Sequence, residues 1–256
     1  MTALLETQGI SVQFGGLVAV DSVNVSVPAG VIHGVIGPNG AGKTTFFNAL
    51  TGLVDIAGGT ILFDGEDISR QPAFQRARRG MRRPFQSVQL IPQLTVLENV
   101  LIGLHDQIRE NPVASLLSWS GRSRAEEDAQ QRVVDTLAFL GIGHTLFKRP
   151  KEMSFAEQRF VEIARALVAR PKLLMLDEPA AGLSPNEVLA LNALLRRVRS
   201  ESAVTVVLVE HVLSLVFDVS DRITVFENGR VIAEGIPADI EADPRVKAAY
   251  LGDEHA

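Results

Sequence analysis

The sequence contains no cysteine among its 256 residues. Disulfide bonds and cysteine-ligated metal sites are therefore excluded, and the lack of disulfides is typical of proteins in a reducing compartment. An excess of positive charge is also missing, because 25 Lys and Arg residues stand against 30 Asp and Glu residues. Since phosphate backbones are bound by basic surfaces, we expect that nucleic acid is not a partner.

Long hydrophobic runs are scarce as well. The longest apolar stretch, 203–219, is interrupted by Glu210, His211 and Asp218, so it is too short and too charged to cross a bilayer. Residues 1–10 lack a basic segment, which predicts that no signal peptide is present. Any role at a membrane is therefore expected to depend on a partner protein.

The apolar pattern predicts an α/β protein with a mostly parallel sheet core. Segments 4–14 and 18–27 alternate apolar and polar residues around two glycines, which predicts an N-terminal antiparallel hairpin. Further apolar runs are separated by helical patterns, an order typical of parallel strands with crossover helices. These runs cover residues 173–176, 204–209 and 223–226, and segments 31–36 and 60–63 are predicted as further strands.

A polar stretch, 104–150, interrupts this α/β pattern. Apolar residues recur at helical spacing from Arg124 onward, and Ser154 is a suitable N-cap for a helix to about Ala169. We therefore expect one domain over 1–256. It would carry an α-helical subdomain inserted at about 87–165 and a short helical tail at about 235–256.

Residues 37–44 match the phosphate-binding pattern G-x-x-x-x-G-K-[ST] at every fixed position, after a predicted strand and before a predicted helix. Glycines let backbone N–H groups face phosphate oxygens, and the helix N-terminus adds positive charge. The lysine would reach the β- and γ-phosphates, and Thr44 would ligate Mg²⁺. The alternative is a glycine-rich turn with an incidental lysine, which fits poorly with a strand before the loop and a helix after it. The candidate nucleotide ligands are Gly37, Pro38, Asn39, Gly40, Ala41, Gly42, Lys43, Thr44 and Thr45.

Two acids, Asp177 and Glu178, end a predicted buried strand. Open α/β sheets present ligands at the carboxyl ends of their strands, so both acids are expected to face the phosphates. Asp177 is placed to hold Mg²⁺ through water, and Glu178 to act as a general base on the attacking water. The alternative is an exposed strand end whose acids serve solubility.

With these motifs in place, the chain resembles the ABC ATPases from about Leu5 to Leu251. The resemblance implies that Phe14 stacks on adenine, unless it is simply a core residue of its strand. It implies that Gln86 contacts Mg²⁺ and senses the γ-phosphate. His211 matches the switch histidine, which would touch the γ-phosphate beside Glu178.

Residues 153–159 resemble the signature motif, usually L-S-G-G-Q, which in this family caps the ATP of the opposite subunit. Ser154, Ala156 and Glu157 are the implied nucleotide contacts. Ala156 replaces the family's second glycine, and its methyl group is expected to crowd the nucleotide of the opposite subunit. Glu157 replaces Gln. Ser184 stands where many members carry an aspartate in the segment implied to link the two ATP sites.

A cluster of five arginines lies between residues 76 and 83. It could lie near anionic lipid or a permease loop. The alternative, which we prefer, is a solvated helix face with one structural arginine. The members are Arg76, Arg78, Arg79, Arg82 and Arg83.

Branched-chain amino acid importer ATPases are resembled by segments 233–240, 244–246, 249–252, 14–17 and 95–100, and the long insert resembles that of the LivG-type subunit. The resemblance implies ATP and Mg²⁺ as cofactors and a second ATPase subunit, identical or not, as partner. It also implies transmembrane permeases, a periplasmic binding protein acting indirectly, and a peripheral place on the cytoplasmic face of the inner membrane. Alternatives are a lipopolysaccharide-export ATPase, a soluble ABC ATPase acting on ribosomes or DNA, and a non-hydrolysing nucleotide-binding module.

Overall fold

The computed structural model describes residues 3–84, 89–105 and 124–251. The chain divides into two compact units. The first comprises Met1–Arg83 together with Lys172–Ala256, and the second is Pro84–Pro171. All ten described strands lie in the first unit.

A four-stranded antiparallel sheet in the first unit has the order β2-β1-β4-β5. The predicted N-terminal hairpin is confirmed, because β1 and β2 pair antiparallel across Gly15 and Gly16. Alternate residues of β2 are buried, which matches the alternating sequence pattern. The strands are β1 (Ala3–Phe14), β2 (Leu17–Pro28), β4 (Gly58–Phe63) and β5 (Glu66–Asp67).

A six-stranded sheet has the order β10-β9-β3-β8-β7-β6. Its strands pair in parallel except for the β9–β10 hairpin, which turns at Asn228 and Gly229, two residues typical of a short hairpin turn. The central strands are buried along their whole length, as expected for a covered parallel sheet. The strands are β3 (Ile32–Ile36), β6 (Met81–Arg82), β7 (Leu173–Asp177), β8 (Thr205–Val209), β9 (Arg222–Glu227) and β10 (Arg230–Gly235).

Nine α-helices are described, of which α3, α4 and α5 belong to the second unit. The residues described include no helix that is both long enough and apolar enough to span a membrane. In chain order the helices are α1 (Lys43–Thr51), α2 (Ala73–Arg78), α3 (Val96–Leu101), α4 (Arg124–Phe139), α5 (Phe155–Leu167), α6 (Pro185–Glu201), α7 (Leu213–Val219), α8 (Pro237–Ala242) and α9 (Pro244–Leu251).

Arg76 is a structural arginine of the cluster, since only 3% of it is exposed. The expectation of a single one is wrong, because Arg83 is also held by the protein, with 13% of its side chain exposed. The Arg76 guanidinium donates hydrogen bonds to the carbonyls of Ala49 and Leu50, each at 2.7 Å, at the end of α1. Helix ends leave carbonyls without intrahelical partners, and a cation also matches the negative end of the helix dipole. Arg76 therefore caps α1 and fixes the loop that precedes α2.

In the second unit, Ser154 caps α5 as the sequence predicts, and its Oγ accepts from the Glu157 backbone N–H at 3.1 Å. The helix ends at Leu167, two residues earlier than expected. Arg170 lies just beyond, with a left-handed φ of 51°, a conformation that ends a right-handed helix. The Glu162 carboxylate of α5 accepts from the Gln89 backbone N–H at 2.7 Å, and Arg165 donates to the Gln89 carbonyl at 2.9 Å. These two hydrogen bonds fix the start of the described segment 89–105.

Candidate nucleotide-binding site

The phosphate loop joins β3 directly to α1, as its motif requires. Gly37 and Gly42 have left-handed φ values of 149° and 99°. A Cβ at Gly37 would lie 2.1 Å from the carbonyl oxygen of Phe226, and one at Gly42 would lie 2.5 Å from that of Ala19. These two glycines are therefore required by backbone packing as well as by the turn of the loop itself.

Lys43 is the first residue of α1 and is buried, with 5% of it exposed. Its Nζ donates to the carbonyls of Gly37 and Pro38, at 2.6 and 2.8 Å. The ammonium is therefore folded back onto the loop that would surround a phosphate. No acidic residue lies in the first turn of α1, so the positive end of this helix is available to an anion.

Strand register brings the loop and the two acids to the same edge of the sheet. β8 lies between β3 and β7, and its last residue Val209 pairs with Val35 on one side and Asp177 on the other. Gly37 and Glu178 thus follow neighbouring positions at the carboxyl ends of their strands. This is the edge where open α/β sheets bind ligands.

Asp177 is buried, and its side chain is 0% exposed, so exposure for the sake of solubility is excluded for this acid. Its Oδ2 accepts from the Arg83 guanidinium at 2.6 Å, while Oδ1 is buried and lacks a hydrogen-bond partner among the described residues. Burial raises the pKa of Asp177, and the adjacent Arg83 cation works against that rise. The carboxylate therefore has one oxygen held and one oxygen unsatisfied.

Glu178 begins the loop after β7 and adopts a left-handed φ of 49°, which is strained for a residue with a side chain. Its backbone N–H donates to Val209 at 2.8 Å. His211 Nε2 lies 2.9 Å from Glu178 Oε1. The structure thus brings two of the three predicted catalytic side chains, Glu178 and His211, into direct contact, and both remain partly open to solvent.

Glu210 was not identified as a site residue from the sequence. It is 2% exposed, and its carboxylate accepts from the backbone N–H groups of Ala180 at 2.5 Å and His211 at 3.0 Å. Burial raises the pKa of Glu210, although these hydrogen bonds oppose that rise. Glu210 therefore ties the loop after Glu178 to the histidine loop. The sequence feature that could have identified Glu210 is its place as a charged residue directly after an apolar strand.

Phe14, the predicted adenine contact, lies at the tip of the β1–β2 hairpin and is 51% exposed. Leu17 and Val18 beside it are also exposed. The alternative of a core strand residue is therefore wrong for Phe14. An exposed aromatic ring on a hairpin tip can stack on a planar ligand.

The signature residues lie in the second unit. Ser154 is exposed and Ala156 is buried at the start of α5. Glu157 accepts from the Ser154 backbone N–H at 2.8 Å and also pairs with His144 at 2.9 Å and Lys148 at 3.3 Å. Although burial works in the opposite direction, these hydrogen bonds and the Lys148 charge hold the pKa of Glu157 below its ordinary value.

Two further sequence predictions concern Ser184 and Gln86. Ser184 is exposed at the N-terminus of α6, where its N–H and Oγ donate to Glu187 at 2.8 and 2.7 Å. Gln86, predicted to contact Mg²⁺, lies outside the described residues.

A magnesium ion fits the donor set of this site. The described residues contain no cluster of three or more His, Cys, Asp or Glu side chains suited to a metal. Mg²⁺ does not need one, because it keeps several waters and is bound through one or two protein oxygens plus substrate phosphates. Thr44, at the start of α1, and the unsatisfied Oδ1 of Asp177 are the groups that would hold it.

Comparisons with known proteins agree with this geometry. Residues 20–181 match the family described as ABC transporter, and residues 230–256 match the family described as branched-chain amino acid ATP-binding cassette transporter. The high-affinity branched-chain amino acid transport ATP-binding protein BraF of Pseudomonas aeruginosa is 42% identical, over 98% of each chain. The corresponding protein LivG of Escherichia coli K12 is 41% identical, also over 98% of each chain.

A crystal structure of the ADP conformation of an ATP-binding cassette of an ABC transporter superposes on this chain with a TM-score of 0.85. It is 32% identical, covering 98% of this chain and 100% of its own. The predicted fold class is thereby confirmed, as are the resemblances found in the phosphate loop and the C-terminal tail. The chain belongs to the ATP-binding subunits of ABC transporters, in the group of the branched-chain amino acid transport ATP-binding proteins.

Proposed function

We propose that this chain binds Mg²⁺-ATP at the phosphate loop and hydrolyses it to drive the import of branched-chain or related hydrophobic amino acids or amides. One observation carries the proposal. The phosphate loop, the buried Asp177 and the Glu178–His211 pair all follow strands that end at the same edge of one sheet. The family to which the chain belongs supports the ATPase reaction.

Binding would begin with an exchange of partners at Lys43. Its ammonium rests on the Gly37 and Pro38 carbonyls, which are weaker partners for a cation than phosphate oxygens. The N–H groups at the start of α1 would take the remaining phosphate oxygens. Phe14 would stack on the adenine. Mg²⁺, held by Thr44 and Asp177, would neutralise the charge that develops on the phosphates.

Hydrolysis requires a water molecule aimed at the γ-phosphate. Glu178, whose backbone adopts a left-handed φ of 49°, would accept a proton from that water. His211, 2.9 Å from Glu178, would hold the carboxylate and contact the γ-phosphate. Phosphoryl transfer of this kind depends on positioning and charge stabilisation rather than on a covalent intermediate.

A second ATPase subunit, identical or a companion chain, would complete the site. Its Ser154 would cap the γ-phosphate, since Ser154 lies exposed at the N-terminus of a 13-residue helix. Transmembrane permeases would transmit closure of the dimer, and a periplasmic binding protein would deliver cargo. The chain would therefore work peripherally on the cytoplasmic face of the inner membrane.

The relatives' names support the cargo class, because BraF and LivG are branched-chain amino acid transport proteins. The match of residues 230–256 to the branched-chain amino acid cassette family supports it independently of the catalytic core. Neither observation favours lipopolysaccharide export, the nearest alternative.

Calorimetric titration of the purified chain with Mg²⁺-ATP tests nucleotide binding. Lys43→Ala removes charge-assisted hydrogen bonds, each contributing about 1.5–3 kcal/mol, so we expect affinity to fall by roughly 10–100-fold. Lys172→Ala is the matched control, because that lysine is exposed and pairs only with Asp64 in the described structure. Equal affinities for both variants would contradict the proposed site.

The cargo is tested with the ATPase co-purified with its permeases and reconstituted in vesicles. We expect ATP-dependent uptake of leucine, isoleucine or valine when the binding protein is present. Uptake of acidic or basic amino acids alone, or export of a lipid, would contradict the proposed cargo while leaving the ATPase assignment intact.

A further inference from the structure

Arg83 lies beside the candidate site and is held from several sides. Its Nη2 donates to Asp177 Oδ2 at 2.6 Å, and its Nη1 donates to Asn48 Oδ1 at 2.8 Å and to Thr51 Oγ1 at 3.3 Å. The guanidinium carbon lies 5.6 Å from the centre of the Phe47 ring. Only 13% of the side chain is exposed. This arginine is therefore a fixed part of the structure.

The partners of Arg83 belong to two different elements. Phe47, Asn48 and Thr51 lie on α1, the helix that begins at the phosphate loop, whereas Asp177 ends β7. The planar guanidinium presents its N–H donors in a rigid arrangement, so Nη1 can hold α1 while Nη2 holds Asp177. Arg83 therefore sets the position of the Asp177 carboxylate relative to the phosphate-loop helix.

The two oxygens of Asp177 have different surroundings. Oδ2 is bound by Arg83, whereas Oδ1 is buried and has no hydrogen-bond partner among the described residues. A buried carboxylate oxygen without a partner is costly, and such groups in native proteins usually await a water or an ion. The geometry assigns one oxygen to the protein and leaves the other for a ligand.

We propose that Arg83 is a positioning residue for magnesium binding, which fixes the Asp177 carboxylate so that Oδ1 faces the hydration shell of the nucleotide-bound Mg²⁺. This inference rests on the proposed function, because it requires that Mg²⁺ and nucleotide bind together at this site. Partners that orient a metal ligand typically change metal affinity by about 10–100-fold when they are removed. Arg83 thus acts through Asp177 and does not itself touch the reacting atoms.

The measurement is the magnesium enhancement, defined as the ratio of the ADP dissociation constant in EDTA to that in Mg²⁺, determined by calorimetry on the full chain. ADP keeps hydrolysis out of the readout. For Arg83→Met we expect the enhancement to fall by about tenfold, while affinity in EDTA stays close to that of the unmodified protein. Arg83→Lys keeps the charge without the planar fork, so we expect a smaller but measurable loss.

Arg79→Met is the matched control. Arg79 belongs to the same arginine cluster, but its partners are Gln71 and the exposed Glu66. We expect its enhancement to equal that of the unmodified protein. If Arg83→Met does not fold, the comparison of Arg83→Lys with Arg79→Met decides the question.

The inference is overturned if the Arg83 variants keep the full enhancement, or if it increases, because Arg83 would then compete with Mg²⁺. An equal loss of affinity with and without Mg²⁺ also overturns it, since Arg83 would then only support α1. If the unmodified protein shows no enhancement at all, the magnesium part of the proposed function fails with it. Failure confined to the variants leaves the proposed function standing.

Discussion

The phosphate-loop edge of the first unit and the start of α5 in the second unit are both expected to contact nucleotide phosphates, α5 those bound by the partner subunit, but their side chains are engaged differently before a ligand binds. At the sheet edge, Lys43 rests on loop carbonyls and Asp177 rests on Arg83. At α5, Ser154 and Glu157 satisfy each other in a complete capping box. Ligand binding must therefore rearrange the contacts of Lys43 at the first region, whereas it can add contacts at the second.

The two regions therefore differ in which hydrogen-bond donors are free to bind a phosphate. In the capping box, Ser154 Oγ accepts a hydrogen bond, which leaves its hydroxyl proton able to donate to a phosphate. Lys43 cannot serve a phosphate fully without leaving its carbonyl partners. We therefore expect substitutions at the sheet edge to change chemistry and affinity strongly, and substitutions at α5 to have smaller effects.

The largest expected effect is that of Glu178→Gln, which keeps the shape of the side chain but removes the base. Loss of a general base typically lowers the rate by ~10²–10⁴, so phosphate release is expected to fall by that factor. Binding of Mg²⁺-ATP, measured by calorimetry, is expected to remain. Glu201→Gln, on an exposed acid that pairs with Arg197, serves as control. A variant at position 178 that hydrolyses ATP at the parent rate would show that the base lies elsewhere.

The second-largest expected effect is a difference in stability between alanine substitutions at two glycines of the phosphate loop, Gly37 and Gly40. Gly37→Ala places a Cβ 2.1 Å from the Phe226 carbonyl oxygen, whereas a Cβ at Gly40 meets nothing within 4 Å. Gly40→Ala is expected to cost about 1–2 kcal/mol of stability from its left-handed φ alone. Gly37→Ala is expected to cost about 1–3 kcal/mol more, because the backbone must move. Urea unfolding measures both, and equal losses would mean that the close approach to Phe226 is relieved without cost.

A cap comparison tests the region at α5. Ser154→Ala and Thr95→Ala each remove the side chain of a capping box in the second unit, so each is expected to lower the free energy of unfolding by about 1 kcal/mol. Only Ser154→Ala is expected to lower phosphate release, by about tenfold, because it also loses a hydrogen bond to a charged ligand. Equal ATPase rates for the two variants would restrict Ser154 to helix capping.

The sequence was sufficient for the residues whose position follows from a local motif. Lys43, Asp177 and Glu178 could be placed because the phosphate loop and the end of a buried strand determine where their side chains start. Ser154 could be placed because a capping box is local in the chain.

Arg83 and Glu210 could not be assigned in this way. Arg83 reaches Asp177 because the two-residue strand β6 pairs with β7, with Met81 opposite Leu173. Two residues carry no readable periodicity. Glu210 binds a backbone N–H that lies 30 residues away, and such a contact depends on tertiary structure rather than on local pattern.

The smallest expected effect concerns Glu157, where the family's signature motif usually has Gln. Glu157→Gln keeps an oxygen that can accept from the Ser154 N–H, but it removes the charge that pairs with His144 and Lys148. Partly exposed ion pairs contribute little, so we expect the free energy of unfolding to fall by about 0.5 kcal/mol or less. Because the carboxylate is engaged in its own cap rather than directed at a ligand, phosphate release is expected to change little.

Glu187→Gln is the matched control, since Glu187 closes a similar capping box with Ser184 and has no His or Lys partner among the described contacts. It is expected to lose less stability than Glu157→Gln. If Glu157→Gln instead raised ATP turnover substantially, the negative charge at α5 would be repelling the nucleotide. The region at α5 would then, like the sheet edge, have to rearrange before ATP binds, and the contrast between the two regions would disappear.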